Sequence, residues 1–464
     1  MIAPAKKLRI AHCVGFFFPD GVGGTEVYVQ DLYAALSRQS VDGYIIAATD
    51  RIYERYVWDG TPVLRYPSNW ANIRDYAASS TRAGLSKFQE LILENAPDIF
   101  HLHSWTAGAG LRHLSQVHQL GIPCVVTMHV PSALCLRGTM LLNGSVACDG
   151  HIEEIRCAQC WIQSRGLPTP LAFAVSRLPR MSFSGTGWAA NVTWRGATML
   201  SARSLVDNHA RELQAMSELS ERIVAPSQWV YDALAINGVP LEKLSISRQA
   251  VAQSLVDRGR AVPRAERGKG KALTIGFMGR LEPYKGAHLL LEAIKRIPRD
   301  VPIHLKVAGS GTEPEYLRSI ETIANKDKRI EFLGPLEHDE ISQFLRGLDV
   351  LAVPSNYMET GPLVVLEAYA FGIPVMGADI GGISERIRDG VDGWLLPFDD
   401  SSAWAAAIQD IALDEAKLAR LAANILPSRT MDDAASEMGT LYREILGAKT
   451  RSSPNEPISG PGPA

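Results

Sequence analysis

Glu359 and Glu367 stand eight residues apart in residues 354–367, PSNYMETGPLVVLE. Two carboxylates at that spacing can hold two parts of one polyhydroxylated ligand, such as hydroxyls on two sugar rings, although two ordinary surface acids would look the same. Arg280 and Lys285 flank a turn, GRLEPYKG over residues 279–286. Both cations can reach one diphosphate from there, or form a plain solvated turn. The glycine-rich loop GVGGTE, residues 21–26, contains Gly23, Gly24 and Glu26. It lets backbone approach phosphates closely, yet it lacks the G-x-G-x-x-G order and also fits a flexible turn. Four of the six cysteines, Cys135, Cys148, Cys157 and Cys160, fall in one short stretch with a C-x2-C pair. Four thiolates suit a structural, tetrahedral zinc site with no position open for catalysis; a redox pair or unliganded thiols are the alternatives.

The elements that must position these groups alternate. Apolar runs at residues 10–15, 44–49, 98–103, 123–129 and 222–225 read as strands, and helical patterns at residues 24–38, 81–94, 110–119 and 204–220 separate them. The same order resumes at residues 273–278, 303–308, 330–334 and 349–353. Repeated strand–helix units imply parallel, doubly wound sheets. In such sheets ligands bind at the carboxyl ends of the strands. His103 and His129 fall at two such ends and Glu359 follows a third; Glu367 lies in a helix over residues 363–371 that stops at Gly372. Loops bearing Gly309 and Gly311, and the strand bearing Leu333, can take a nucleotide base through backbone groups.

Length and composition fit this plan. The chain has 464 residues, 46% hydrophobic and 21% charged, with a net charge of −3, which suits a globular protein of two or three domains. The charge balance argues against nucleic acid as a partner. No apolar run reaches the roughly 18 residues that span a bilayer. Residues 8–18 lack a cleavage site and read as a first strand, so a cytoplasmic location is expected.

In order, Gly279-Arg280, Lys285-Gly286, Pro354-Ser355, Glu359, Glu367-Ala368, Gly372-x-Pro374-Val375 and Gly381-Gly382 resemble the retaining glycosyltransferases of family 4. Gly23-Gly24-x-Glu26 and Thr127-x-His129 add weaker likeness, so the resemblance covers most of residues 8–445. It implies a GT-B fold: an α/β protein with two Rossmann-like domains facing a central cleft. By the same likeness Arg280 and Lys285 hold the diphosphate of a nucleotide-sugar donor, Glu359 and backbone near Leu363 hold its sugar, and Glu367 its ribose. Gly23, Gly24, Gly309, Gly311, Leu333 and Gly361 line the donor site. His129 supports the sugar or a phosphate oxygen, while Glu26 and His103 face the acceptor.

The chain departs from the family pattern in two places. Glu359-Thr360-Gly361-Pro362 replaces the usual Glu-Gly-Phe-Gly, losing one backbone donor at Pro362, and Arg248-Gln249-Ala250-Val251 replaces an Asn-Gly-Val turn. The expected domains are 1–250, with a cysteine-containing insertion at about 131–205; a linker, 251–271; a donor-binding domain, 272–430; a returning helix, 431–448; and a disordered tail, 449–464. No D-x-D sequence occurs, so catalysis without a metal cofactor is expected. The alternatives are a GT-B epimerase or phosphorylase and a noncatalytic sugar-nucleotide-binding protein. Residues 161–205 carry five arginines, Arg165, Arg177, Arg180, Arg195 and Arg203, without an acid, and Trp161, Phe173, Phe183, Trp188 and Trp194 among them. Such a surface suits peripheral contact with an anionic membrane and a lipid-linked or glycan acceptor; an ordered insertion with buried rings and paired arginines is the other reading.

Overall fold

The computed structural model describes residues 7–21, 23–51, 53–68, 82–106, 108–180, 199–261 and 270–452. The first domain contains β1 (Arg9–Val14), β2 (Asp42–Thr49), β3 (Glu54–Trp58), β4 (Thr61–Pro67), β5 (Ile99–Leu102) and β6 (Cys124–Thr127). A small hairpin follows, β7 (Leu141–Leu142) and β8 (Val146–Ala147), then β9 (Arg222–Ala225) and β10 (Leu244–Ile246). Apart from that hairpin they form one sheet in the order β10-β9-β6-β5-β1-β2-β4-β3. Every pairing is parallel except β3 with β4. The inner strands β5 and β6 are buried along their whole length, as continuous apolar runs covered on both faces should be.

The second domain contains β11 (Leu273–Met278), β12 (Ile303–Ala308), β13 (Ile330–Gly334), β14 (Val350–Val353), β15 (Val375–Ala378) and β16 (Gly393–Leu396). Their order, β13-β12-β11-β14-β15-β16, is parallel throughout. Chain direction across the sheet reverses between β11 and β14. That reversal opens a crevice at the strands' carboxyl ends, where residues 279–286 and 354–362 both emerge.

Residues 251–271 are not simply a linker. The helix Gln253–Ala261 lies within them and packs on the helices His338–Arg346 and Leu363–Ala370 of the second domain. Only Leu255 and Val256 are buried, too few apolar positions to betray a helix among so many charges. Gly259 makes the fit, because a Cβ there would lie 2.1 Å from the Ala370 carbonyl oxygen.

The helix Met431–Ser452 runs back over the first domain. Met431, Ala434, Ala435, Met438, Leu441, Tyr442 and Ile445 are buried in the first domain's second core with Val29, Leu32 and Leu36, at the 3–4 residue spacing of one helix face. Tyr442 ties it to the sheet through a 2.6 Å hydrogen bond with His101 Nδ1. The hinge is pinned where the two crossings meet, by Val251 N–H on Arg429 O and Met431 N–H on Val251 O. Most of the expected tail, residues 453–464, lies outside the described residues.

In the insertion the arginines are largely paired. Arg180 and Arg203 both bind Glu154, at 2.7 and 2.8 Å, so the acids missing from the segment are supplied from just outside it. Trp161 is buried under the Arg165 guanidinium, and Arg177 lies 3.4 Å over the Phe173 ring. Phe183, Trp188, Trp194 and Arg195 fall outside the described residues.

Replacing Tyr442 by Phe leaves a buried His101 nitrogen unpaired, which should lower stability by about 1–3 kcal/mol. Urea unfolding measures it; a midpoint equal to wild type would mean the His101–Tyr442 bond adds nothing to the hold on the returning helix.

Candidate active site

At the reversal in the second sheet, Lys285 closes a short 3-10 turn, Pro283–Lys285, and Gly286 follows it in the left-handed region at φ 74°. A side chain at 286 would strike the Pro354 carbonyl oxygen at 1.8 Å. Glycine therefore lets the β11 and β14 loops lie against each other, and Asn356 N–H donates to Tyr284 O between them. Lys285 Nζ reaches Glu359 Oε1 at 2.9 Å and Tyr357 Oη at 3.2 Å, and the Ser355 hydroxyl donates to the same carboxylate oxygen at 2.6 Å. Burial alone would raise the Glu359 carboxyl, but Lys285 and Ser355 prevail and hold it below the ordinary range. Burial likewise opposes the charge on Lys285, and Glu359 and Tyr357 override it, raising the ammonium. Both groups are thus charged at neutral pH.

Arg280 is exposed at the rim, its guanidinium 5.6 Å from the Tyr284 ring centre. Glu367 lies in the second turn of the helix Leu363–Ala370. Burial, and then the charge of Asp31 on the first domain, push its carboxyl up to about 7. Gly309 and Gly311 serve the loops' packing: a Cβ at either would meet the carbonyl oxygens of Gly279 and Leu281, at 1.8 and 2.1 Å. Leu333 stands 38% exposed on the edge strand β13.

The first domain supplies the facing wall. The helix Gly24–Arg38 starts at the glycine loop, and a Cβ at Gly24 would lie 3.7 Å from Leu363 Cδ1, so the two helix starts nearly touch. Burial raises the Glu26 carboxyl, with Arg280 pulling the other way. Behind them runs a buried hydrogen-bonded chain. Gln249 Nε2 lies 3.1 Å from His129 Nδ1, His129 Nε2 3.2 Å from His103 Nδ1, and His103 Nε2 3.1 Å from His12 Nδ1. With the Gln249 amide donating, each imidazole carries its proton on Nε2. Burial lowers His12 and His129 to about 3, so the chain is neutral at pH 7.

Two expectations change here. His103, expected on the acceptor side, is fully buried and touches the cleft only through His129. His129, expected to hold a sugar or phosphate oxygen, has both ring nitrogens engaged; its carbonyl accepts the Thr360 hydroxyl at 2.7 Å. Contact with a ligand through either nitrogen requires one of these bonds to open. The structure joins Glu359, Lys285, Glu367, Leu363, Gly361, Gly24 and Glu26 around one cleft, whereas the four cysteines lie apart in the insertion.

Trp229 and Glu385 carried no sequence signal, whereas Gly382 and Gln249 stood in stretches already compared with the family pattern. Trp229 Nε1 donates to the Glu359 carbonyl at 2.9 Å, and Gly382 N–H to the same oxygen at 2.7 Å. Glu385 accepts from Gln228 N–H and Trp229 N–H, both at 2.8 Å, so the second domain caps the start of the first-domain helix Gln228–Ile236. Gln249 also packs against Gly361, where a Cβ would lie 2.2 Å from its Cγ. Ser355 and Tyr357 were within reach of sequence reasoning, since they flank Glu359 in the stretch singled out there.

Residues 23–247 match the family described as glycosyl transferase 4-like domain, and residues 261–426 the glycosyl transferases group 1. A D-inositol 3-phosphate glycosyltransferase of Corynebacterium efficiens is 29% identical over 294 residues, 57% of this chain and 69% of that protein. Alignments with the first such relatives span about half to two thirds of their length. Among solved structures, the HepE protein of Anabaena in complex with UDP and glucose is 18% identical with a TM-score of 0.59, covering 96% of this chain and all of that one. Sucrose-phosphate synthase from Thermosynechococcus elongatus is 17% identical with a TM-score of 0.63, covering 95% and all. Those likenesses carry the two-domain GT-B fold. With both matched stretches in sequence order, the chain carries a glycosyl transferase 4-like domain followed by a glycosyl transferases group 1 domain.

Proposed function

We propose that the protein transfers a sugar, with retention and without a metal in catalysis, from a UDP-type nucleotide sugar to a hydroxyl of a glycan or lipid-linked acceptor. The observation that carries the reading is the buried Lys285–Glu359 pair at the β11–β14 crevice. Arg280, Lys285 and the start of the helix Leu363–Ala370 form the cationic end that a diphosphate requires. On donor binding Lys285 turns to a phosphate oxygen, which frees Glu359 to accept sugar hydroxyls. The bond from the anomeric carbon to the phosphate oxygen then breaks, and the acceptor oxygen bonds to that carbon on the same face. The acceptor's proton passes to the departing β-phosphate. Arg280 and Lys285 stabilise the charge left there, and Glu367 accepts from the ribose hydroxyls. His129 acts through position, its ring fixed by Gln249 and its carbonyl by Thr360.

Glu26, beside the glycine loop, is the proposed acceptor contact. The relatives' name suggests a phosphorylated polyol, while one observation favours a lipid-linked acceptor at the inner membrane face. Leu171, Phe173 and Leu178 are 55%, 49% and 40% exposed around Arg177, an amphipathic patch that suits an anionic lipid surface. Incubation with UDP-sugars, with and without each acceptor class, tests the whole reading: UDP should appear with acceptor and slowly without it. Release of UDP with an epimerised free sugar would point to the epimerase alternative, and no turnover with any sugar to a binding protein.

Glu359→Gln and Arg280→Ala should each lower kcat/KM at least tenfold, about 1.4 kcal/mol of transition-state stabilisation. Steady-state kinetics at saturating acceptor read this out, and near wild-type values in both variants would sink the assignment. Turnover should persist in EDTA, and recovery only on adding magnesium would defeat metal-independent catalysis. The Glu367 carboxyl, raised to about 7, binds ribose hydroxyls best once ionised. The donor KM should therefore fall as pH rises from 6 to 8, and Glu367→Gln should flatten that profile. An unchanged profile in the variant would remove Glu367 from donor binding.

A further inference from the structure

The insertion contains a unit that apolar contact alone holds weakly. β7 and β8 are two residues each, β8 is exposed, and a hairpin of that length is unstable without further support. Every part of the unit contributes a cysteine. Cys135 follows the turn Pro131–Ala133, Cys148 follows β8, and Cys157 and Cys160 sit one turn apart on the helix Glu154–Ser164. All four line one cavity of about 30 Å³, room for one ion or one water. The cysteines are free thiols.

A second observation points to a ligand. His209, on the helix Ala202–Leu219, lines the same cavity. It is 8% exposed, and among the described residues its Nε2 has no hydrogen-bond partner. A buried nitrogen left unpaired is destabilising, and imidazole nitrogen is, with thiolate sulfur, a preferred donor for zinc. The Asn143 backbone N–H donates to Cys160 Sγ at 3.2 Å, and Arg137 approaches the same sulfur at 3.8 Å. Such donors stabilise a sulfur that carries negative charge.

We propose that this cavity binds one thiophilic divalent cation of the zinc class, through the thiolates of Cys135, Cys148 and Cys157 and a fourth donor supplied by Cys160 or His209. Among the described residues no three of these donor atoms lie within 4.8 Å of one another, so binding requires them to move together. Among the described residues, the group of three or more such donors within 4.8 Å of one another is His12, His101 and His103. Those rings are already bonded to one another, to Thr127 and to Tyr442, which leaves them poor ligands. At the cysteines, binding draws the hairpin onto the helix Glu154–Ser164 and couples metal to the order of the insertion. The proposal is independent of the donor proposed at the sugar-transfer cleft, although the insertion touches the β14 loop, where Met358 N–H donates to Thr139 O at 3.0 Å.

The test uses the full chain, reduced, equilibrated with zinc and dialysed. Elemental analysis should give close to one zinc per chain, and a mercurial thiol reagent should release it in step with thiol modification. Cobalt in its place should give the intense tetrahedral ligand-field and thiolate charge-transfer absorption that report sulfur ligation. Cys148→Ser with Cys157→Ser should weaken retention at least tenfold. Should that variant fail to fold, the cobalt spectrum and zinc release of the unaltered protein decide the question. The proposal is overturned by less than a tenth of an equivalent of retained zinc with all thiols freely titratable, by a disulfide among the four, or by cobalt absorption without a thiolate band.

Discussion

The buried pair of Lys285 and Glu359 is the contact on which the cleft depends. Two charges taken from water cost several kcal/mol each unless geometry and further hydrogen bonds compensate. Here Ser355 and Tyr357 supply those bonds, and the pair is made by residues 74 apart in the chain. It requires the β11 and β14 loops to touch. Parallel order supplies their neighbourhood, and Gly286, with its left-handed backbone and no Cβ against Pro354 O, supplies their contact. Under the proposed function such a pair can exchange partners, because a donor phosphate would offer Lys285 as much negative charge as Glu359 does.

The facing wall must then hold its distance. Trp229, Thr360, Gln249 and Glu385 do this at the cleft, and the helix Met431–Ser452 does it behind. Glu385 places a carboxylate from one domain on the helix start of the other, where unpaired N–H groups and the helix dipole favour it. The β14 loop therefore touches the first domain at its backbone carbonyl and hydroxyl positions, while its charged side chains remain for the ligand.

Much of the second domain was legible. Strands at 273–278, 303–308 and 330–334 and the spacing of Glu359 and Glu367 follow from periodicity and glycine placement, which are local. The contacts that join the domains were not: Gln249 and His129 are 120 residues apart, Trp229 and Glu359 130 apart. No local pattern marks such a pair. The helix Gln253–Ala261 escaped for the opposite reason, since its fit relies on an absent side chain at Gly259. The burial of His103 was not legible, because a strand-end position says which edge a residue is near, and not whether a second layer of side chains covers it. Arg180 and Arg203 of the insertion were unpaired in sequence and are paired in space, by Glu154.

The charge in the cleft is one-sided, and this bears on the chemistry. Lys285 and Glu359 on the second domain are ionised, whereas His12, His101, His103 and His129 on the first are held neutral by burial, and Glu26 is raised. A protonated histidine chain would add positive charge behind the first-domain wall; a neutral one adds none, and leaves the charge of Asp31 facing Glu367. Gln249 joins that wall to the β14 loop beside the Thr360 hydroxyl on the His129 carbonyl: its amide sets the direction of the histidine protons, and its chain fills the space beside Gly361. The neutral state of one domain and the loop geometry of the other thus meet at Gln249 and His129.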